Sequence, residues 1–317
     1  MWRAQWLGFG LVLLSLVLGV LGLGVGSAGL EAVWQMLADP VAAQIVWDIR
    51  APRTLGAFAA GALLGLAGAV AQGLFRNPLA DPFLLGSASG ASLGVALALA
   101  AFGVSPFAAE LAVRVGLTGA AFVGAVAAVL LTLALARGVQ HTLRLLLAGV
   151  VVGVVLGALA SLVNIRFPDT LQAMQAFMLG STAFVGWSAC ALMLGVWLLC
   201  LALAWSLARV LDGLVLGEST ALSLGLPLAP LRMALVGVLA LATGCAVAQT
   251  GLIAFVGLAA PHLVRAVVKT THAWLVLLAS LMGGALLMLA DALARGLMAP
   301  QELPVGVLTA VLGGDRR

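Results

Sequence analysis

The stretch Leu143-Arg-Leu-Leu-Leu-Ala-Gly-Val-Val-Val-Gly-Val-Val-Leu-Gly-Ala-Leu-Ala-Ser-Leu-Val-Asn-Ile165 decides the class of fold. Between Arg144 and Ser161 it holds no polar side chain. A helix needs roughly 20 such residues to cross a hydrocarbon layer. Runs of the same character recur at Trp6–Gly26, Thr54–Phe75, Leu84–Phe102, Val115–Ala136, Ala183–Ala208, Leu231–Ala248, Gly251–Val268 and Ala273–Ala294. A tenth begins at Leu303 and stops at Gly314, about half a span. The first run is longer than the core of a secretory signal, so it reads as a retained span. Of 317 residues, 64% are hydrophobic and 8% charged, against about 25% charged in a soluble domain. That excludes a water-soluble enzyme, a disordered chain and a disulfide scaffold. An outer-membrane barrel would need alternating polar residues and is excluded too. The expected fold is an all-α polytopic membrane protein of about ten helices, forming one domain over residues 1–317.

The net charge of +4 resembles that of a nucleic-acid binder only superficially. All basic residues but Lys269 are arginine, most of them scattered singly between apolar runs as interfacial anchors are. With the N-terminus in the cytoplasm, eight basic residues fall inside and five outside: Arg50, Arg53, Arg114, Arg166 and Arg295. Most acidic residues fall outside, so those arginines are basic islands on an acidic face.

Three connections exceed turns. Residues 27–53 form an outer segment with an amphipathic stretch, Leu30 to Leu37. Residues 166–182 predict a short helix on the outer surface. Residues 209–230 form an inner segment whose glycines and Pro227 predict two short helices. Small residues at helical spacing (Gly61/Gly65, Gly86/Gly90/Gly94, Gly149/Gly153/Gly157) predict close helix contacts in lipid. Cys190 and Cys200 lie too far apart along one helix to bridge, and with Cys245 read as buried apolar side chains. No metal-ligand spacing surrounds the three histidines; neither metal nor cofactor is expected. His262 and Arg265 read as structural, Arg265 reaching to the inner interface.

In Gln72-Gly-Leu-Phe-Arg-Asn-Pro-Leu-Ala-Asp-Pro-Phe-Leu-Leu-Gly-Ser-Ala-Ser-Gly-Ala, Pro78 and Pro82 forbid a continuous helix, and Asn77 and Asp81 can satisfy the freed backbone. This stretch closely resembles the signature of the FecCD-type permeases, membrane subunits of ATP-driven importers for iron chelates, haem and vitamin B12. Matches follow in order at Arg50-Ala-Pro-Arg-Thr-Leu, Thr142 to Gly149, Gly217 to Leu226, Gly251 to Arg265, Ala290 to Arg295 and Glu302 to Ala310, covering residues 45 to 312. Lys269, the sole lysine, lacks the glycines of a phosphate-binding loop, so an ATPase would have to be a separate chain.

The resemblance implies the type II importer architecture: two permease copies, a pair of ATPase subunits, and a periplasmic or extracellular substrate-binding protein. It implies that the binding protein docks on Arg50, Arg53 and Arg295, although Asp291, one turn before Arg295, could pair with it instead. It implies a cytoplasmic gate at Asn77, Leu79 and Thr142; helix capping is an alternative for Asn77 and Thr142. It implies ATPase coupling through Glu218, Ala221 and Gly225. An iron chelate, iron–siderophore or haem, is the expected cargo, with a corrinoid as the alternative. Lipid is an expected partner and nucleic acid is not.

Two other classes fit less well. An ion-coupled transporter needs a buried ionisable residue near mid-membrane, and Asp291 is the deepest candidate. A membrane hydrolase would need a His-Glu-x-x-His helix or paired carboxylates, which are missing. Relatives of this type continue beyond Gly313 with apolar residues, whereas here Asp315-Arg316-Arg317 follows. A shortened product, or a half-span with its charged end in the pathway or at the dimer interface, is the expectation there.

Overall fold

The computed structural model describes residues 2–26, 29–30, 36, 39–102, 111–136, 142–223, 225, 227–298 and 301–314. The amphipathic stretch Leu30 to Leu37, Leu224 and Leu226 of the inner segment, and Asp315-Arg316-Arg317 lie wholly or largely outside them. The helices are α1 (Trp2–Gly24), α2 (Pro40–Ile45), α3 (Ala51–Leu74), α4 (Ser87–Phe102), α5 (Leu111–Leu135), α6 (Thr142–Arg166) and α7 (Leu171–Leu179). They continue with α8 (Trp187–Ser206), α9 (Ala208–Val215), α10 (Glu218–Ser223), α11 (Leu228–Thr250), α12 (Val256–Val267), α13 (His272–Gly296) and α14 (Val305–Gly314). A two-residue hairpin, Val25–Gly26 with Gly29–Leu30, follows α1. Among the described residues, seven helices are long and apolar enough to cross a membrane; α4 and α12 are apolar but shorter.

The second span starts earlier than its hydropathy suggests. Asp39 accepts the Val41 N–H, Pro40 opens the helix, and a wide turn at Val46–Arg50 carries α2 into α3 without a break, so Pro40–Leu74 is one 35-residue helix. Pro52 lacks an N–H and would crowd the carbonyl of an α-helical turn before it; the wider turn removes that conflict. The eighth expected span, Gly251–Val268, is corrected. Gly251 (φ 70°) and Phe255 (φ 68°) are left-handed, so only the 12 residues of α12 are helical.

At the centre stands α3, in which every residue from Ala59 to Leu74 is buried. Its glycines admit neighbouring backbones. A Cβ on Gly61 or Gly65 would lie 2.2 Å from the carbonyl oxygen of Gly283 or Ala279 on α13, and one on Gly68 1.7 Å from that of Gly257 on α12. α4 and α5 meet likewise through Gly90 and Gly124. In lipid this close backbone packing takes the place of hydrophobic burial. Gly153 and Gly157 stand looser, nearly 4 Å from Ser89.

α1 buries a narrow stripe, Ala4, Leu11 and Leu18, and Gly8 and Gly19 set it alongside Leu278 and Met288 of α13, running in the same direction. Its other face, with Trp6, Phe9 and Leu16, is exposed and apolar, as are Leu147, Val154 and Leu162 of α6. This is a surface for lipid or apolar protein rather than for water. The end holding Trp2, Glu218 and His272 is called inner, and the end holding Arg53 and Arg295 outer, after the sequence-based orientation.

Candidate functional site

At the inner end, α3 closes in a left-handed turn. The Arg76 N–H donates to Gly73 O and the Asn77 N–H to Gln72 O, a pattern usually completed by glycine. Arg76 occupies that place with φ 50°, at a cost of about 1 kcal/mol. Its guanidinium Nη2 stands 3.5 Å from Glu218 Oε1. The same oxygen is 2.7 Å from Arg232 Nη2 and accepts a hydrogen bond from Thr142 Oγ1 at 3.2 Å. One carboxylate oxygen therefore joins α10, α11, the start of α6 and the turn after α3. Thr142 bonds to Glu218, a third use beside the two its position suggested. Arg76 and Arg232 were not singled out by sequence. The signal for Arg232 was an arginine opening an apolar helix with Glu218 the acid before it.

Burial pushes the Glu218 carboxyl up, but the hydrogen bond and charge of Arg232, aided by Thr142 and Arg76, outweigh it and hold the group below the usual carboxylate value. A carboxylate with a depressed folded-state pKa stabilises above its unfolded pKa and loses that contribution as pH falls through the folded one. The stability difference between the wild type and Glu218→Gln should therefore be full at pH 7 and shrink below about pH 4, measured by thermal unfolding at both values.

Asn77 Oδ1 accepts the Leu79 N–H at 2.9 Å and so folds its own turn, leaving Leu79 72% exposed. Asp81 does the same with the Phe83 N–H rather than capping α4, which begins six residues on at Ser87. Ala221 is buried, Leu222 is exposed, and Gly225 (φ 76°) turns the chain after α10. Arg265 donates to Gln72 Oε1, near the inner end of α3, and Gln72 Nε2 donates to Leu258 O. His272 at the start of α13 stands with Nδ1 2.6 Å from Asp212 Oδ1 on α9.

A cavity of ≈ 440 Å³ opens beside Leu79 and runs along α12 past Val256 and His262 to Leu286, Ala290 and Thr309. Its lining is mostly aliphatic, so it offers contact without strong adhesion. At its outer side, α7 locks onto the segment after α11. The Leu252 N–H donates to Phe177 O and the Ser181 N–H to Thr250 O. A Cβ on Gly306 of α14 would lie 2.1 Å from Leu179 O.

The outer arginines sit differently from their expectation. Arg53 is 7% exposed and Arg295 2%, so neither offers its charge to a docking partner. The reason is electrostatic: Asp291, fully buried on α13, needs counter-charges at this depth. Arg53 Nε donates to Asp291 Oδ1 at 3.0 Å, and Arg53 Nη1 lies 2.9 Å from Glu302 Oε2. Arg295 Nη2 is 2.8 Å from Asp291 Oδ2, and Nη1 donates to Gly22 O and Val25 O. The Thr182 hydroxyl donates to Asp291 as well. The network ties α1, α3 and α13 to the loop before α14, through Glu302, and to the loop between α7 and α8, through Thr182. Arg50 is half-buried and donates to Leu23 O at 3.1 Å.

The pattern of the FecCD transport family matches residues 11–315. The hemin transport system permease protein HmuU of Yersinia pestis is 38% identical over 97% of this chain and 92% of its own length. The vitamin B12 import system permease protein BtuC of Escherichia coli is 40% identical over 84% of this chain and 80% of its own. A solved structure assigned to the metal-chelate type of ABC transporter, inward-facing, superposes with a TM-score of 0.87 at 33% identity, covering 97% of this chain and 96% of that one.

Proposed function

This chain belongs to the FecCD transport family, and on that premise we propose that two copies of it form the pathway of an importer for an iron chelate, iron–siderophore or haem. The chain itself is a multi-pass permease subunit and not the ATPase. In the proposed assembly the N-terminus lies in the cytoplasm of a bacterial inner membrane. A pair of ATPase subunits engages the inner end and a substrate-binding protein the outer end. The ten segments of the type II architecture are the seven long helices together with α4, α12 and α14. The chelate cargo is supported by the hemin permease and by the metal-chelate transporter. A corrinoid is the second reading, favoured by the vitamin B12 permease.

Glu218 is the observation that carries the coupling part of this reading. The residues 209–230 supply α9 and α10, with Glu218 and Gly225 at the proposed ATPase contact and the buried Ala221 seating α10 beneath it. Asn77, Leu79 and Thr142 surround the inner mouth. Because Glu218 holds both Thr142 and Arg76, the neighbour of Asn77, a displacement of α10 is passed to both gate stretches through one oxygen. The left-handed Arg76 is then strain retained for that contact. Arg76→Gly should stabilise the turn by up to about 1 kcal/mol while lowering transport per ATP hydrolysed in proteoliposomes with the ATPase and binding protein. A glycine variant with unchanged transport per ATP would remove the Arg76 branch from the coupling route and leave only the Thr142 bond to carry it.

Docking is assigned to Arg50, with Arg53 and Arg295 holding the elements beneath it. Arg50→Glu should weaken the binding-protein stimulation of ATP hydrolysis and leave basal hydrolysis in place. Equal stimulation of both forms sinks the docking assignment. An uncoupler that stopped uptake while ATP stayed high would instead favour ion coupling.

A further inference from the structure

A second cavity, of ≈ 400 Å³, lies at the inner end where α8 passes into α9 beside the start of α13. Ser206, Arg209 and Asp212 line one side and Thr271 and Ala273 the other. We propose that it holds the phosphate of an anionic phospholipid of the adjoining leaflet. The assignment rests on the membrane reading of the chain alone, not on its cargo or its partners.

Arg209 is exposed on the cavity and, among the described residues, makes no ion pair or hydrogen bond. The nearby inner arginines Arg76, Arg232 and Arg265 are all engaged. The cavity's carboxylate does not oppose an anion freely, because Asp212 Oδ1 accepts the His272 N–H at 3.0 Å and faces its ring nitrogen. The Thr271 hydroxyl adds a neutral donor, whereas the Ser206 hydroxyl already gives its proton to Leu203 O at 2.8 Å. Trp205 belongs to the lining and meets Trp274 edge-on, ring centroids 6.1 Å apart. Above them, Leu203 and Leu199 of α8 are exposed and apolar. Tryptophan at the boundary between apolar surface and a cation marks headgroup depth, where the ring lies against glycerol and acyl carbons while phosphate meets the guanidinium. A soluble partner would have no use for the apolar face immediately above.

The test uses the full chain in nanodiscs, with native mass spectrometry counting retained lipid. In discs of phosphatidylglycerol and phosphatidylcholine, the wild type should retain phosphatidylglycerol, and Arg209→Ala should hold it about fivefold more weakly. Arg209→Lys should restore most of the retention. Arg144→Ala, an exposed inner-end charge away from the cavity, should match the wild type. Equal losses in Arg209→Ala and Arg144→Ala would mean diffuse attraction and overturn the site. Displacement of the lipid by millimolar inorganic phosphate would identify a free-anion site and overturn the lipid assignment.

Discussion

Asp291→Ala should be the most damaging of the single charge removals, lowering stability by about 3–5 kcal/mol. Among the described residues Asp291 is the only carboxylate paired with Arg295, and it shares Arg53 with Glu302. Without it Arg295 keeps the carbonyls of Gly22 and Val25 but loses its ion-pair partner, at a site almost closed to water. A buried ion pair gains little over an apolar replacement of the whole group, yet breaking it from one side costs heavily. Asp291→Asn keeps an acceptor for Arg53 and Thr182 and should lose less. Thermal unfolding in detergent measures both. An alanine variant as stable as the wild type would show that the network is not load-sharing. The pair of variants also addresses the ion-coupled alternative, since a coupling carboxylate would abolish uptake when made Asn in a chain that still folds.

Gly68→Ala should have the second large effect, about 3 kcal/mol or more. The new methyl would lie 1.7 Å from the Gly257 carbonyl oxygen and 2.5 Å from its carbonyl carbon. Neither is the free end of a side chain. Behind Gly257 stands Pro82, whose Cγ would lie 2.4 Å from a Cβ placed there, so α12 cannot retreat without moving the turn after α3. Relief requires α3 and α12 to separate along their length, giving up the packing that substitutes for water-driven burial in lipid. Gly195→Ala, on α8 with nothing within 4 Å, is the control and should be neutral or slightly stabilising. The yield of monodisperse protein and its melting temperature should separate the two. Similar values for both would mean that the backbone contact relaxes without cost.

Hydropathy read the membrane class and most span positions because each long helix must fill the same thickness. It failed at Gly251–Val268, an apolar run that mixes a non-helical strip with a short helix. What decides that region is the left-handed Phe255 and the bond of Leu252 to Phe177, neither of which alters hydropathy. The break near Pro78 was legible, since proline cannot donate and Asn77 and Asp81 can fold their own turns. Arg295 with Asp291 was legible from their four-residue spacing. Arg53 was not: its depth could be guessed, but its side of the helix and the partner on α13 are tertiary facts. The same holds for Glu218, whose place beside α10 was readable while its bond to Thr142 was not.

The contact of α3 with α13 also sets a timetable for synthesis. Arg53 emerges from the ribosome 238 residues before Asp291, the carboxylate that neutralises it. For that interval the chain carries an arginine inside the Pro40–Leu74 helix with Glu302 and Asp291 both still untranslated. The glycine faces of α3 likewise wait for α12 and α13. α3 therefore cannot take its final seat as it is inserted; it has to be held at the insertion machinery or at the lipid margin until the last third of the chain arrives. A ribosome stalled before α13 should leave a nascent chain whose Arg53 is accessible to water-soluble reagents after its conversion to cysteine, and release of the stall should close it.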